Sequence, residues 1–438
     1  MNQEYLGILM LVTLLAVIFV GFPITFTLIV VAVGFGYFGL GQMVFDLMVI
    51  QTYGMMQEEV LAAVPLFVFM GYIVERADLM ERLFRAFRYA LAPIKGSLYL
   101  GVVFTATIFA MATGIVGAAV TVLGIMAAPI MMKCKYDPRM AAGAITAGGT
   151  LGILIPPSVM LVVMGPVMNV SVAKLYAACF GPGFLLASLY VFYLLIRCYI
   201  NPELGPPLPK EERLGSFRLV LWELFVGMVP LGVLIGGTMG SILIGLATPT
   251  EAAAMGAAGS LLLALGYRKL SLKMMYEAAY TTIQTSSMVL FLGVASNVFG
   301  AVFARLGSAD LMTRTLLGLQ FPPIVMLLIV MILLFVLGWP FEWPAIIYLF
   351  LPIVMPLIVA LKYDLIWFGA LVAVNLQTAF LSPPVAMSAY YLKAVVPDWD
   401  LGTIYRGMAD FMVLQVVALL LLMFFPEIAL WFPRWLFN

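Results

Sequence analysis

The chain has 438 residues, of which 64% are hydrophobic and only 10% are charged, and its formal net charge is +1. These proportions exclude an ordinary soluble domain, and a nearly neutral chain predicts no nucleic-acid partner. Histidine is absent, which excludes Ser-His and Cys-His catalysis and His-ligated metals. The three cysteines are scattered along the chain and are interpreted as small core residues. We therefore predict no enzymatic activity and no cofactor.

Apolar runs recur from one end of the chain to the other, at 6–20, 24–40, 97–132, 184–199, 220–246, 326–361 and 414–425. A helix needs roughly 20 apolar residues to cross a bilayer, whereas a membrane β-barrel would alternate apolar and polar residues. We therefore predict an all-α polytopic membrane protein. The first run has no basic segment before it and no small-residue cleavage site after it, so we expect a retained transmembrane helix.

In chain order, the first unit (1–200) is predicted to begin with two helices (5–20 and 22–40), an amphipathic stretch (42–58) and a third helix (60–75). A charged arm (76–95) and a long apolar segment with an internal Gly/Pro break (96–132) follow. A broken helix (140–168) and a final helix (175–200) complete the unit. The stretch 42–58 is compatible with either an interfacial helix or a short extra span. The segment 201–218 is rich in Pro and charge, and we interpret it as a cytoplasmic linker.

The second unit (219–438) repeats this order. It begins with helices at 219–245 and 248–266, a third helix at 285–304 and a charged arm at 305–321. An interrupted apolar segment at 322–361, a broken helix at 366–393 and a final helix at 404–425 follow. Short motifs recur as well. KYD at 135–137 returns at 362–364 and PP at 156–157 returns at 383–384, both after 227 residues, and ADLM at 77–80 returns at 309–312. We interpret these matches as an internal duplication.

The charge distribution predicts that the two units have opposite orientations. If each interrupted apolar segment (96–132 and 322–361) is a re-entrant hairpin, each unit crosses the membrane five times, and an odd number inverts the second unit. With the N-terminus outside, 17 of the 22 Lys and Arg residues fall on the inner side, as the positive-inside rule requires. Both termini are then predicted to be periplasmic, and the Trp-rich end of the chain suits an interfacial anchor.

Four helix breaks at paired positions are the candidate binding site. Irregular backbone survives at membrane depth only where protein or a cavity surrounds it, and broken helices present positive N-termini to anions and free carbonyls to cations. The alternative is that Gly and Pro only allow close helix packing. The candidate residues from the breaks are Thr113, Gly114, Val116, Gly117, Gly149, Thr150, Gly152, Ile155, Pro157, Ser158, Gly338, Glu342, Asn375, Gln377, Thr378, Ala379, Ser382 and Pro384.

Two carboxylates need separate interpretations. Glu251 follows Thr248-Pro249-Thr250, and we interpret it as a helix N-terminal charge that satisfies backbone donors. Glu342 lies at the tip of the second hairpin, where contact with an ion and simple solvation are both open. No lysine or arginine lies deep in an apolar run. An anionic substrate would therefore be bound by amides, hydroxyls, helix ends and bound cations.

Four of these motifs, GGTLGILIPPS, ATGIVGAA, ATPTEAAAMGA and NLQTAFLSPP, resemble signatures of the large membrane subunit of TRAP (tripartite ATP-independent periplasmic) transporters, the DctM type. The resemblance covers essentially the whole chain. It implies a symporter of the bacterial or archaeal inner membrane that moves organic acids, C4-dicarboxylates among them, with sodium. It also implies a transport domain that moves like an elevator against a scaffold, a small four-helix membrane subunit and a periplasmic solute-binding protein as partners.

The resemblance further implies two sodium sites, each between a hairpin tip and the neighbouring broken helix, with substrate between them. One site would use Thr113, Val116, Gly152, Ile155 and Pro157, and the other Gly338, Ala379 and Ser382. The chain departs from the family at four positions. It has Thr113 and Val116 where relatives often carry serines, Ala379 where a glycine is common, and Glu342 where relatives often carry aspartate. The alternative function is a stand-alone carrier of anions coupled to protons, which the absence of histidine and the scarcity of buried carboxylates argue against.

Overall fold

A computed structural model of the chain describes residues 3–209, 213 and 216–437, without the side chains of Ala110, Thr113 and Phe217. Throughout this part of the chain the secondary structure is helical, with no strand. Six of the described helices are long and apolar enough to cross a membrane, or up to eight if each of two bent helix pairs counts as one span. The predicted all-α polytopic membrane protein is thereby confirmed.

The first half contains ten helices in the described residues. They are α1 (Gln3–Phe19), α2 (Ile24–Leu40), α3 (Met43–Met56), α4 (Ala63–Arg76), α5 (Leu79–Ala90), α6 (Ser97–Thr113), α7 (Val116–Lys133), α8 (Pro138–Leu154), α9 (Val159–Met168) and α10 (Val172–Ile200). Short 3-10 turns occupy Glu59–Ala62 and Pro202–Leu204. The predicted hairpin 96–132 corresponds to α6 and α7, and the predicted broken helix 140–168 to α8 and α9.

The second half follows the same order. Its helices are α11 (Phe217–Ile235), α12 (Ser241–Leu243), α13 (Pro249–Gly266), α14 (Leu272–Arg305), α15 (Ser308–Gly318), α16 (Pro323–Leu337), α17 (Trp343–Ala345), α18 (Leu351–Ala360), α19 (Leu365–Ala379), α20 (Met387–Val395), α21 (Leu401–Phe424) and α22 (Glu427–Phe437), with π-helical turns at Gly236–Gly240 and Ile346–Phe350. The predicted hairpin 322–361 spans α16 to α18, and the predicted broken helix 366–393 spans α19 and α20.

The two halves differ at the third predicted helix. In the first half α3 and the segment Glu59–Arg76 meet at an angle of 58°, whereas α14 runs unbroken for 34 residues. Pro65 lies in the first turn of α4, where its missing N–H group is tolerated, while a proline inside a continuous helix would remove a hydrogen bond. α14 contains no proline.

Each broken helix packs against the final helix of the other half: α8 lies against α21, and α19 against α10. The α8–α21 contact brings two backbones almost together, because a Cβ placed on Gly143 would lie 2.5 Å from the carbonyl oxygen of Gly407. Small residues at such positions allow close helix packing inside membranes. The two halves are therefore interlocked rather than joined only by a linker.

Ion pairs connect charged segments that are distant in sequence. Arg76 pairs with Glu277 at 3.1 Å, and Asp78 pairs with Lys269. Elsewhere Arg139 on α8 makes two contacts, of 3.0 and 3.1 Å, with the carboxylate of Asp410 on α21. At a third place Arg314 contacts Glu4 at 2.7 Å. The charged ends of the helices thus meet in separate groups around the apolar body.

The linker is fastened to the first hairpin. The Tyr99 hydroxyl donates to the carbonyl oxygen of Leu204 at 2.6 Å, and the Tyr136 hydroxyl to that of Pro206 at 2.7 Å. Burial raises the pKa of the Tyr136 hydroxyl to about 12. In the second half, the Trp-rich end of the chain belongs to α22, which packs along α10.

Candidate functional site

The first hairpin tip lies against the break between α8 and α9. Gly114 has a φ of +61°, a conformation that glycine adopts without strain. A Cβ placed on Gly114 would lie 3.6 Å from the carbonyl oxygen of Pro157 and 3.7 Å from that of Gly152. The structure therefore places Gly114 beside Gly152 and Pro157, two of the five residues predicted for one ion site. The side chain of Thr113, also predicted there, lies outside the described residues.

Other predicted residues of the first half serve packing. Gly149 allows α7 to approach, since a Cβ on it would lie 2.3 Å from a methyl carbon of Val120. Ile155 is buried and fills the space above Gly183 of α10. The Ser158 hydroxyl donates to the carbonyl oxygen of Ile153 at 2.6 Å, and thereby satisfies a carbonyl that the helix break leaves free. The Pro156–Pro157 peptide bond that follows α8 is cis.

The second hairpin tip makes an equivalent contact with the break between α19 and α20. A Cβ placed on Gly338 would lie 2.6 Å from the Cβ of Ala379. One residue further along, the indole Nε1–H of Trp339 donates to the Oγ of Ser382 at 3.0 Å. Gly338, Ala379 and Ser382, the predicted residues of the other ion site, therefore lie together. The Pro383–Pro384 peptide bond is cis, and Pro384 is exposed.

The polar side chains of α19 are buried and bind other parts of the protein. The Asn375 amide donates to the carbonyl oxygen of Met331 on α16 at 2.9 Å, and the Thr378 hydroxyl to that of Asn375 at 2.5 Å. The Gln377 amide donates to the Thr150 hydroxyl at 3.1 Å. These bonds connect the second broken helix with the second hairpin and with the first broken helix.

Sequence reasoning missed one member of this buried network. Gln415 of α21 is fully buried and directs its amide toward Thr150 at 3.4 Å. The Oε1 atoms of Gln377 and Gln415 have no hydrogen-bond partner within the described residues. A single glutamine inside the apolar run of α21 was the signal available in the sequence, because a polar residue at membrane depth usually has a partner.

Two adjoining cavities lie beside the second hairpin tip, and the smaller one also touches the first tip. The larger, about 430 Å³, lies between the second tip, α14 and the start of α2. The smaller, about 130 Å³, is bounded by residues 114–117 of the first tip, by the second tip and by α14. Glu342 lines both cavities, and its side chain is accessible. Gly117 lies beside the smaller cavity, where a Cβ would approach the Tyr391 ring at 3.1–3.3 Å.

Glu251 lies away from these cavities, and its predicted role is confirmed. The Thr248 hydroxyl accepts a hydrogen bond from the backbone N–H of Glu251 at 3.3 Å, and the Glu251 carboxylate accepts one from the backbone N–H of Thr248 at 2.8 Å. This reciprocal pair is a capping box at the start of α13. It satisfies two backbone donors that the helix leaves unpaired.

A helical membrane protein with paired helix breaks around internal cavities has the architecture of a secondary transporter. Solved structures share this fold. The chain is similar to the YdaH transporter of Alcanivorax borkumensis, with a TM-score of 0.63 at 16% sequence identity and 90% of each chain covered. It is also similar to MtrF of Neisseria gonorrhoeae, with a TM-score of 0.56 at 14% identity, covering 100% of this chain and 95% of that one. At these identities the likeness shows the fold alone.

Sequence comparison gives the family. Residues 11–428 match the family model described as "Tripartite ATP-independent periplasmic transporter, DctM component". The chain is 31% identical over 425 residues to the sialic acid TRAP transporter large permease protein SiaM of Vibrio cholerae, with 96% of each protein covered. It is 30% identical over 383 residues to the C4-dicarboxylate TRAP transporter large permease protein DctM of Pseudomonas aeruginosa, with 86% of each covered. The chain belongs to the TRAP transporter large permease family, and it is a membrane transporter subunit rather than an enzyme.

Proposed function

We propose that this chain mediates sodium-coupled uptake of an organic acid, a carboxylate, across the cytoplasmic membrane. In this proposal it works with a small four-helix membrane subunit and with a periplasmic binding protein that delivers the solute. The observation that favours the proposal most is a geometry that occurs twice: each hairpin tip contacts the break of the broken helix in its own half, through Gly114 in one half and Gly338 in the other.

Hairpin tips against helix breaks suit a dehydrated cation. The carbonyl oxygens of Gly152 and Pro157 face Gly114, and the Ser382 hydroxyl faces the second tip. Carbonyl and hydroxyl oxygens are the groups that sodium accepts as ligands in broken transporter helices. We therefore assign one sodium to each break, with Val116 and Ile155 adding backbone carbonyls at the first and Ala379 at the second.

We also propose that the two halves are inverted repeats and that the hairpins and broken helices form a transport domain moving as an elevator within a scaffold. Three observations support this arrangement. Thr150 and Gln377, equivalent residues in the two halves, bind each other, as residues near a two-fold axis do. Each broken helix packs against the final helix of the other half, and α19 packs against that of its own half as well. Segments assigned to the same membrane side carry the ion pairs Arg76–Glu277 and Glu4–Arg314.

The relatives support the partners but not one substrate. Similar proteins are named as transporters of sialic acid, C4-dicarboxylate, isethionate and ectoine, so the family fold accommodates different solutes. The isethionate relative is a single permease protein named DctMQ, of which this chain covers 57%. This length difference is expected if the remainder of that protein supplies the small membrane subunit that we propose as a separate partner here.

Uptake into proteoliposomes tests the proposal. The chain is reconstituted with the small membrane protein and the binding protein encoded beside it, and the solute is identified by ligand screening of that binding protein. We expect accumulation only with an inward sodium gradient. Uptake that is unchanged without sodium and follows a proton gradient would favour the proton-coupled carrier instead, and uptake without either partner would favour a stand-alone carrier.

Two substitutions test the placement of the ion sites. Gly152→Leu and Ser382→Leu are expected to abolish uptake while leaving membrane insertion intact, because each adds apolar bulk at a helix break. Gly232→Leu and Ser188→Leu are the matched controls, since a Cβ on Gly232 meets no atom within 4 Å and Ser188 is exposed. Normal sodium-dependent uptake by both site variants would contradict the placement.

A further inference from the structure

Three buried polar atoms around Thr150 have no hydrogen-bond partner in the described part of the chain. They are the Oε1 of Gln377, the Oε1 of Gln415 and the hydroxyl of Tyr190. All four side chains are fully buried. An unpaired polar atom costs free energy inside a protein, and native structures seldom leave one unexplained. Three such atoms on three different helices indicate a bound polar molecule.

The helices α8, α10, α19 and α21 bring these side chains together. The amide nitrogens of Gln377 and Gln415 lie 3.1 and 3.4 Å from the Thr150 hydroxyl. Because the oxygen and nitrogen of one amide are about 2.3 Å apart, each Oε1 lies within about 6 Å of that hydroxyl. The Tyr190 hydroxyl lies beside Thr150 and Gln415. Its ring packs edge-on against Phe411, one helical turn before Gln415. The unpaired atoms therefore share one small region of the interior.

The side chains of this cluster cannot satisfy one another. The single hydrogen of the Thr150 hydroxyl is already donated to the carbonyl oxygen of Ala147 at 2.8 Å. Towards the glutamines this hydroxyl can therefore only accept, so both amides turn their nitrogens to it and their oxygens away. Tyr190 has one hydrogen to donate, whereas the two amide oxygens need two. Rotating an amide by half a turn only exchanges an unpaired oxygen for an unpaired nitrogen.

We propose that one ordered water molecule is bound in this cluster, between the two amide oxygens and the tyrosine hydroxyl. Water matches all three unpaired groups. It donates one hydrogen to each Oε1 and accepts the hydrogen of Tyr190. Buried waters typically make about three such bonds to groups that would otherwise be unpaired. A cation could coordinate the two oxygens, but it would leave the tyrosine hydrogen without an acceptor.

The bound water completes the polar junction between the two halves. Thr150 and Gln377 lie two residues before Gly152 and Ala379, which belong to the two helix breaks. With α10 and α21 contributing the other two side chains, the water joins four helices and holds the breaks at a fixed spacing. The site is separate from the solute and from the coupling ion, because none of its side chains is among the residues that line the two cavities described above.

Radiolytic labelling of the full chain in nanodiscs tests for the water. Synchrotron irradiation produces hydroxyl radicals from bound as well as bulk water, so a buried tyrosine is modified efficiently only where a water lies beside it. Tyr176 is the matched control, because it is equally buried and its hydroxyl donates to the carbonyl oxygen of Ser158 at 3.4 Å. We expect Tyr190 to be modified several-fold faster than Tyr176. A rate for Tyr190 as low as that of Tyr176 would overturn the proposal.

Variants identify the groups that bind the water. Gln415→Met keeps the length of the side chain but removes the amide, so the labelling rate of Tyr190 should fall toward that of Tyr176. Gln377→Met removes the other amide and should act in the same direction. Gln284→Met on the exposed face of α14 is the control and should leave the rate unchanged. If both cluster variants also leave it unchanged, the water lies elsewhere and the proposal is wrong.

A density map of the wild-type chain, at a resolution that shows ordered waters, provides a test that needs no variant. We expect a peak within hydrogen-bonding distance of both Oε1 atoms and the Tyr190 hydroxyl, in sodium and equally when choline replaces sodium. The absence of a peak would overturn the proposal, and so would a peak that disappears without sodium, since it would identify a cation. Sodium-dependent uptake is measured separately, so its failure would contradict the proposed function and leave this water site standing.

Discussion

Gln377 and Thr150 are separated by 227 residues and joined by a hydrogen bond of 3.1 Å. The same interval carries the Pro156–Pro157 pair onto Pro383–Pro384. Two equivalent residues of a duplicated chain contact each other only where the two copies meet. Gln415 directs a second amide toward the same hydroxyl at 3.4 Å, so Thr150 connects both broken helices with α21.

Removing this contact should loosen the junction of the halves. Gln377→Leu should lower the free energy of unfolding by about 1–3 kcal/mol, because the exchange leaves a buried network incomplete. A double-mutant cycle with Thr150→Val should give a coupling of about 0.5–1.5 kcal/mol. Denaturant titration in detergent measures both values. Gln284→Leu on the exposed face of α14 is the control, and a coupling near zero would contradict the role of the contact.

The close contact between Gly338 and Ala379 predicts that enlarging Gly338 is harmful unless Ala379 is made smaller at the same time. Gly338→Ala should push the second hairpin tip away from α19, because the added Cβ would lie 2.6 Å from the Cβ of Ala379. Overpacking of this kind typically costs about 1–3 kcal/mol. The melting temperature and the uptake rate should both fall.

Adding Ala379→Gly to the Gly338→Ala variant should restore much of both quantities, since it removes the methyl group in the way. If the double variant is no better than Gly338→Ala alone, the two residues do not form the close contact described. Ala379→Gly by itself serves as the control for the loss of the alanine side chain.

Gly117 provides a test of the first hairpin tip. A Cβ at this position would lie 3.1–3.3 Å from three atoms of the Tyr391 ring, so Gly117→Ala should shift the ring slightly and Gly117→Val should shift it more. We expect uptake to fall in that order. In a Tyr391→Leu background the difference between glycine and alanine should shrink, and an unchanged difference would show that the clash lies elsewhere.

The start of α21 should respond to acid. Asp400 accepts hydrogen bonds from the Thr403 hydroxyl at 2.6 Å and the Thr403 backbone N–H at 2.9 Å, which hold the pKa of its carboxyl below the usual value. Because the folded-state pKa is lowered, this contribution is present at neutral pH and is lost as the pH falls below about 4.

Hydrogen exchange of the first turn of α21 measures that effect. Protection should fall with acid in the wild type and should be independent of pH in Asp400→Asn, whose amide oxygen can still accept the Thr403 backbone hydrogen bond. The cap formed by Asp364 on Ile366 and Trp367 is an internal comparison that keeps its own carboxylate. An acid response that survives Asp400→Asn would assign the effect to another group.

Local patterns were sufficient for much of the fold. Apolar runs, Gly and Pro breaks, and the Thr248–Glu251 cap depend on residues close in sequence, so the helices and the capping box were predictable. The duplication was also readable, because it repeats short motifs at a constant interval. The continuous α14 was not predicted, because the first half breaks at the equivalent place.

The sequence by itself determined that this is a helical membrane protein with paired breaks and which residues lie in them. Only the tertiary structure decided which of those residues meet: Thr150 with Gln377, Gly338 with Ala379, and Glu342 with two cavities that contain no other charge. The physical reason is the separation in sequence between the interacting residues. Helix formation and capping follow from neighbours three or four positions apart. These contacts depend instead on how distant helices pack, and the periodicity of one helix does not identify the helix that packs against it.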